Sequence, residues 1–166
     1  LVRFQDYLTQ LEKDPSGPEW EAFTNALTTN LTAFFREAHH FPLLADLVRD
    51  RRGPVRVWSA GASTGEEPYS IAMALTEVLG DKADFQILAT DIDTEALERA
   101  QRGIYAMEQV AKLEERRRKR FFQKGSGARA GFARIRPDLA ERVRFKTLNL
   151  VAPKWPVEER FDAIFC

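Results

Sequence analysis

Cysteine and histidine are almost missing from this 166-residue sequence. The single cysteine, Cys166, excludes an internal disulfide framework and any multi-cysteine zinc site. The two histidines, adjacent at His39 and His40, argue against a histidine-based metal cluster. No apolar run approaches the ~20 residues that a membrane-spanning helix needs, and no charged-then-apolar signal pattern stands out. An excess of one charge is lacking too, since 25 Lys and Arg balance 25 Asp and Glu. What is there suits one globular domain, or one domain with a small appendage. The hydrophobic content of 44%, with 12 Phe and 3 Trp, can fill a core and argues against wholesale disorder. The chain opens on Leu1 and stops on Cys166 straight after an apolar run, which reads as a piece of a longer protein.

The balanced charge hides an asymmetry. Between Lys112 and Arg136 stand ten basic residues and only two acidic ones, Glu114 and Glu115, so the remainder is correspondingly acidic. A local excess of one sign says more about partners than the total does.

Along the chain, Phe4, Tyr7, Leu8 and Leu11 fall at i, i+3, i+4, i+7 and predict an amphipathic helix over 3–13. Asp14-Pro15-Ser16-Gly17-Pro18 breaks it. Trp20, Phe23, Ala26 and Leu27 repeat the helical spacing, and 29–32 reads as a polar connection. A further helix is expected over 42–51, with Leu43, Leu44, Leu47 and Val48 buried and Gly53-Pro54 as its stop. The texture then changes to strand 55–59, small-residue turn 61–65, helix 66–79, strand 85–90, an acidic strand end, and helix 94–102 stopped by Gly103. This βαβα alternation predicts a parallel sheet covered by helices. After Tyr105 the alternation fails. A helix over 112–122 and a strand over 132–135, with Gly125, Gly127 and Gly131 between them, suggest a small antiparallel excursion. Residues 143–148 then return to the main sheet, and 161–166 has the pattern of a buried strand.

Two motifs carry chemistry. In Ser59-Ala60-Gly61-Ala62-Ser63-Thr64-Gly65-Glu66-Glu67, small residues between strand and helix allow a ligand close to the backbone. The dinucleotide glycine fingerprint is incomplete, and two carboxylates at the helix start would repel a phosphate but suit a cationic group. An ordinary tight turn is the plainer alternative. The second motif is Asp91, at the end of the next strand, where an acid can accept bonds from both ribose hydroxyls of a nucleoside. Helix capping is its alternative role, for which Asp93 is better placed. Together the motifs point to an adenosine-containing ligand without a pyrophosphate, hence S-adenosylmethionine over a nicotinamide dinucleotide. His39 and His40 read as structural. The basic stretch by itself fits a solvated charged helix or a nucleic-acid patch.

Five blocks sharpen this: Thr29–Glu37 (TNLTAFFRE), Trp58–Met73 (WSAGASTGEEPYSIAM), Thr90–Asp93 (TDID), Leu148–Leu150 (LNL) and Phe161–Cys166 (FDAIFC). In this order and spacing they resemble the CheR-type chemotaxis receptor methyltransferases over nearly the whole chain. The resemblance implies an α/β fold with a truncated Rossmann-like class I methyltransferase sheet, an N-terminal helical segment and a small antiparallel β-subdomain insertion. It divides the chain at 1–52, the end of a helical domain and linker, and 53–166, a partial cofactor-binding domain whose 112–147 region contains the insertion. It implies methyl transfer from S-adenosylmethionine to glutamate side chains on the cytoplasmic part of bacterial chemoreceptors, hence a cytoplasmic protein that contacts no nucleic acid and is not inserted in a membrane. Among site residues it implies that Asn30, Thr32 and Arg36 reach the cofactor and that Glu66, more than Glu67, meets the methionyl amino group. Asp91 would take the ribose, and Asn149 and Leu150 would flank the adenine. Capping for Asn30 and Thr32, a solvated charge for Arg36, and core packing for Phe34 and Phe35 are the alternatives. The glycine-bracketed 125–131 loop resembles that of members whose subdomain binds the receptor's C-terminal peptide by adding a strand. No metal is implied. The family pattern also has an Arg-Asn pair beyond Cys166 and a basic helix before Leu1. A non-catalytic adaptor that keeps the peptide-docking hairpin is the competing reading.

Overall fold

A computed structural model describes residues 3–166, so Leu1 lies outside the described residues. The chain opens with α1 (Phe4–Lys13) and α2 (Pro18–Leu27), joined by the Asp14–Gly17 turn, and continues through an extended linker to α3 (His40–Val48). Alternation follows as expected, with β1 (Val55–Ser59), α4 (Glu66–Leu79), β2 (Phe85–Asp91) and α5 (Thr94–Arg102). Next come β3 (Ile104–Ala106), α6 (Met107–Val110), α7 (Glu115–Phe121), β4 (Phe122–Lys124), β5 (Phe132–Ile135) and α8 (Pro137–Ala140). Finally β6 (Val143–Thr147) and β7 (Ala163–Phe165) join the main sheet.

Four strands pair in the order β6-β2-β1-β7, all parallel. The chain steps outward from β1 to β2 to β6, then reverses to place β7 on the other side of β1. This is half of a doubly wound sheet, with its switch point between β1 and β7. Three short strands form a second, antiparallel sheet in the order β3-β5-β4.

Side chains alternate across the main sheet. Val57, Ile87 and Val143 face the large core shared with α3, α4 and α5. Trp58 and Leu88 face the opposite side, where Leu148, Val157 and Phe161 cover them. The Trp58 indole N–H donates to Thr90 Oγ1 at 2.9 Å, so the buried ring keeps its one donor satisfied. Helix α4 is buried on nearly every side, from Glu66 through Thr76. Each of Ile71, Met73 and Leu75 stabilises the fold by roughly 1.5–3 kcal/mol of apolar burial. Asp162 locks β7 to β1: its carboxylate accepts from the Arg56 N–H at 2.8 Å and pairs with Arg51.

Three local expectations are corrected. Helix α3 begins at His40 rather than Pro42 and ends at Val48 rather than Arg51. Proline is tolerated in a first turn, whose N–H groups have no helical partner, and Arg51 is drawn away to Asp162. The buried face of α3 is Phe41, Leu44 and Val48, while Leu43 and Leu47 are exposed. The antiparallel excursion also recruits β3, a three-residue strand too short to show a period in the sequence.

Candidate functional site

The cleft lies where the sheet switches direction, at the carboxyl ends of β1, β2 and β7, and encloses about 810 Å³. That is the place and size of a small-molecule pocket in a doubly wound fold. One wall is the turn from β1 to α4. It is pinned at two points: the Ala60 N–H donates to Phe165 O at 2.8 Å and the Ala62 N–H to Thr90 O at 2.9 Å. Ser63 and Gly65 then take left-handed conformations, with φ of 47° and 96°. A Cβ at Gly65 would stand 2.8 Å from both Ala100 Cβ and the Tyr105 hydroxyl, so only glycine fits. At Gly61 a Cβ would meet nothing within 4 Å, and Gly61 lines the cleft, leaving room for a ligand to approach the backbone.

Asp91 closes this wall from the end of β2. One carboxylate oxygen accepts from the Ser63 N–H at 2.7 Å and the other from the Asp93 N–H at 3.0 Å. Each oxygen keeps acceptor capacity, because an ionised carboxylate has about four lone-pair sites. Asp93 has the capping role: it accepts from the Ala96 N–H at 2.9 Å at the start of α5. Burial opposes its charge, but bonds from the Thr28 hydroxyl, the Ala96 N–H and the Asn30 amide outweigh this and hold its pKa below the usual carboxylate range.

The opposite wall is the linker between α2 and α3, with α3 behind it. Thr29, Leu31, Thr32, Ala33, Arg36 and Glu37 line the cleft, as do His40, Leu43 and Leu47 of α3. Arg36 folds back to donate to Leu31 O at 2.6 Å. Asn30 does not line the cleft. It bridges the two walls, accepting from the Ser63 hydroxyl at 2.7 Å and donating to Asp93 Oδ2 at 2.7 Å. Phe34 packs edge-on to Tyr105 and Phe122, and Phe35 packs against Phe41, so both belong to the packing beneath the linker.

The two adjacent glutamates part company. Glu66 is 2% exposed and does not line the cleft; its carboxylate accepts from the Thr64 hydroxyl at 2.6 Å and the Gln109 amide at 3.3 Å. Burial raises its pKa, with the Thr64 bond opposing. Glu67 does line the cleft and accepts from the Ser59 hydroxyl at 2.7 Å. Burial raises its pKa too, with the Ser59 bond and the nearby His40 and Arg36 opposing. Asn149 and Leu150 are exposed just beyond β6, the strand beside Asp91, and lie outside the cleft lining. Of the seven residues named from sequence, the structure therefore brings Thr32, Arg36 and Asp91 into the cleft. Sequence reasoning missed the place of His40 and gave Glu67 the lesser role.

Residues 30–166 match the family model described as CheR methyltransferase, SAM binding domain. The chain belongs to this family. It is 55% identical to the chemotaxis protein methyltransferase of Klebsiella aerogenes, over 98% of this chain and 57% of that protein. Against the chemotaxis protein methyltransferase of Escherichia coli K12 the identity is 54%, over all of this chain and 58% of the relative. Against chemotaxis protein methyltransferase 2 of Pseudomonas aeruginosa it is 50%, over all of this chain and 60% of the relative. The chain thus spans a little under three-fifths to three-fifths of the length of these relatives. The cofactor of a CheR domain is S-adenosylmethionine, and the cleft suits it. Gly61 leaves space at the backbone, Asp91 retains acceptors for two hydroxyls, and Asp91, Glu67 and Glu37 surround the cleft with carboxylates fit for a sulfonium and an ammonium.

Proposed function

We propose that the protein containing this chain transfers a methyl group from S-adenosylmethionine to glutamate carboxylates on the cytoplasmic domain of bacterial chemoreceptors, and that it works in the cytoplasm. The observation that carries this reading is the carboxylate-lined cleft at the switch point, built from the same residues that match the CheR domain. Among the described residues no helix is long and apolar enough to cross a membrane.

When bound, the cofactor supplies an electrophilic methyl on a positively charged sulfur. A glutamate side chain is already ionised near neutral pH, so attack on that methyl calls for alignment rather than proton removal. The residues of this chain accordingly hold and orient. Asp91, fixed by two backbone N–H groups, receives the ribose hydroxyls. Glu67, held by Ser59, meets the methionyl ammonium; its open position in the cleft favours it over Glu66, which supports the turn from below. Thr32 and Arg36 contact the cofactor from the linker, Asn30 fixes the linker to the turn, and Asn149 and Leu150 stand where the adenine extends past Asp91. Calorimetric titration of the full-length protein with S-adenosylhomocysteine tests the reading, together with transfer of labelled methyl to a receptor cytoplasmic domain. Wild-type protein should bind and transfer, and Asp91→Ala should weaken binding by about tenfold or more, the loss of charge-assisted bonds. Wild-type protein that neither binds nor transfers would sink it.

The second sheet is proposed to bind the receptor's C-terminal peptide. β4 is an edge strand among the described residues. The groove beside it has an apolar floor of Met107, Val110 and Phe122; on its rim Arg118, Lys119 and Lys124 outnumber Glu115, which pairs with Lys119, and the net positive charge suits an acidic peptide ending in a carboxylate. Peptide binding that survives replacement of residues 125–131 and of Lys124 would refute this placement.

A further inference from the structure

Arg117 belongs to the basic stretch, yet it is not a free surface charge. Its Nε and Nη2 donate to the two carboxylate oxygens of Glu77, each at 2.9 Å, in a fork that both partners half-bury. The pair holds the Arg117 pKa above its ordinary value. The same guanidinium lies 3.9 Å from the centre of the Phe35 ring. Phe35 sits in the linker at φ 53°, and Glu37, two residues on, has φ 51°. Left-handed backbone is unfavourable for a bulky side chain and persists only where the surroundings impose it. Arg36, which lines the cleft, stands between these two residues.

The surroundings that impose it come from two elements. On α4, Ser70 Oγ accepts from the Phe35 N–H at 2.9 Å, and Ser70 in turn donates to Glu66 O at 2.6 Å. Glu77 lies seven residues further along α4, two turns on and on the same face. Helix α4 therefore grips Phe35 twice: directly through Ser70, and over the top of the ring through Glu77 and Arg117. The cation comes from α7 of the inserted region, so that region closes the linker onto the helix that begins at the cofactor turn.

We propose that Arg117 is a positioning residue for the cofactor: stacked on Phe35 and forked to Glu77, it holds the linker in the one backbone arrangement that presents Arg36 to the cleft. The inference rests on the reading of the cleft as a cofactor site. It requires arginine specifically. A lysine keeps the charge but cannot form the planar fork and stack on the ring at once. Neighbouring Arg120 supplies the control, because it pairs with Asp81 at 2.7 Å just past the end of α4 and lies over Phe121, remote from the linker.

The test uses the full-length protein at 25 °C. S-adenosylhomocysteine affinity is measured by calorimetry, and kcat and KM for S-adenosylmethionine by labelled methyl transfer, for wild type, Arg117→Lys, Arg117→Ala and Arg120→Ala. Both Arg117 variants should bind about fivefold more weakly, with KM raised and kcat nearly unchanged, the signature of lost uniform binding. Arg120→Ala should bind as wild type does. Wild-type affinity in Arg117→Lys, or an equal loss in Arg120→Ala, would overturn the inference, the latter because it would reduce Arg117 to general attachment of the inserted region. If the wild-type protein itself fails to bind, the cofactor reading falls and takes the inference with it. A positive wild-type titration separates the two failures.

Discussion

The two walls of the cleft are made of opposite materials. The turn from β1 to α4 grows out of the core: Ser59, Ala62, Glu66 and Tyr69 are each 2% exposed or less. The linker facing it leaves Leu31, Ala33, Arg36 and Glu37 exposed and adopts two left-handed residues. Its shape comes from a few side-chain bonds: Thr28 and Asn30 to Asp93, Ser63 to Asn30, Phe35 to Ser70, and the Arg117 stack. One wall is specified by packing, which is shared among many residues and coupled to global stability. The other is specified by individually replaceable bonds, so it can be loosened while the fold stays intact. A ligand in the cleft would meet a rigid half on one side and an adjustable half on the other.

The largest effect expected from this difference lies at Gly65. Alanine there would combine a left-handed φ of 96° with a clash against Ala100, and should cost about 2–4 kcal/mol of stability in a urea titration. Gly61→Ala, four residues earlier in the same turn, should leave the urea midpoint within about 0.5 kcal/mol of wild type while weakening S-adenosylhomocysteine binding. A large loss of stability at Gly61 would mean that both glycines serve packing. On the other wall, Asn30→Ala removes the acceptor for Ser63 and one donor to Asp93, about 1–2 kcal/mol of local bonding. The expected outcome is weaker cofactor binding with little change in the urea midpoint. A global loss as large as that of Gly65→Ala would erase the distinction between the walls.

The same contrast explains what the sequence disclosed. Packing leaves a periodic trace, so the βαβα alternation, the stop at Gly103 and the cap at Asp93 were all legible. Bonds that span the chain leave none. Nothing in Thr29–Glu37 read alone announces that Asn30 answers Ser63 and Asp93, 33 and 63 residues away. The split between Glu66 and Glu67 was equally hidden, because adjacent identical residues differ only in which side of α4 they occupy. Leu43 and Leu47 misled for a related reason: apolar residues that line a cleft carry the same helical spacing as residues that fill a core. β3 went unseen because three residues cannot establish a period.

The smallest predicted effect concerns the charge that the rigid wall buries. Glu66 sits in the first turn of α4, where the helix N-terminus favours a negative charge, yet it is almost fully enclosed. Burial raises its pKa in the folded protein, and the Thr64 hydroxyl offsets this only in part. A raised folded pKa means that the folded state binds the proton more tightly than the unfolded chain does. The resulting stabilisation is complete below the ordinary glutamate pKa and is lost as pH rises through the folded value. Glu66→Gln mimics the protonated form at every pH. Its thermal midpoint should therefore exceed that of wild type at pH 7, and the difference should shrink as pH falls and vanish below the ordinary glutamate range. If wild type is instead the more stable at pH 7, the Thr64 hydroxyl, the Gln109 amide and the helix N-terminus together outweigh burial. The packed wall would then be stabilised by the side-chain contacts of Glu66 as well as by packing.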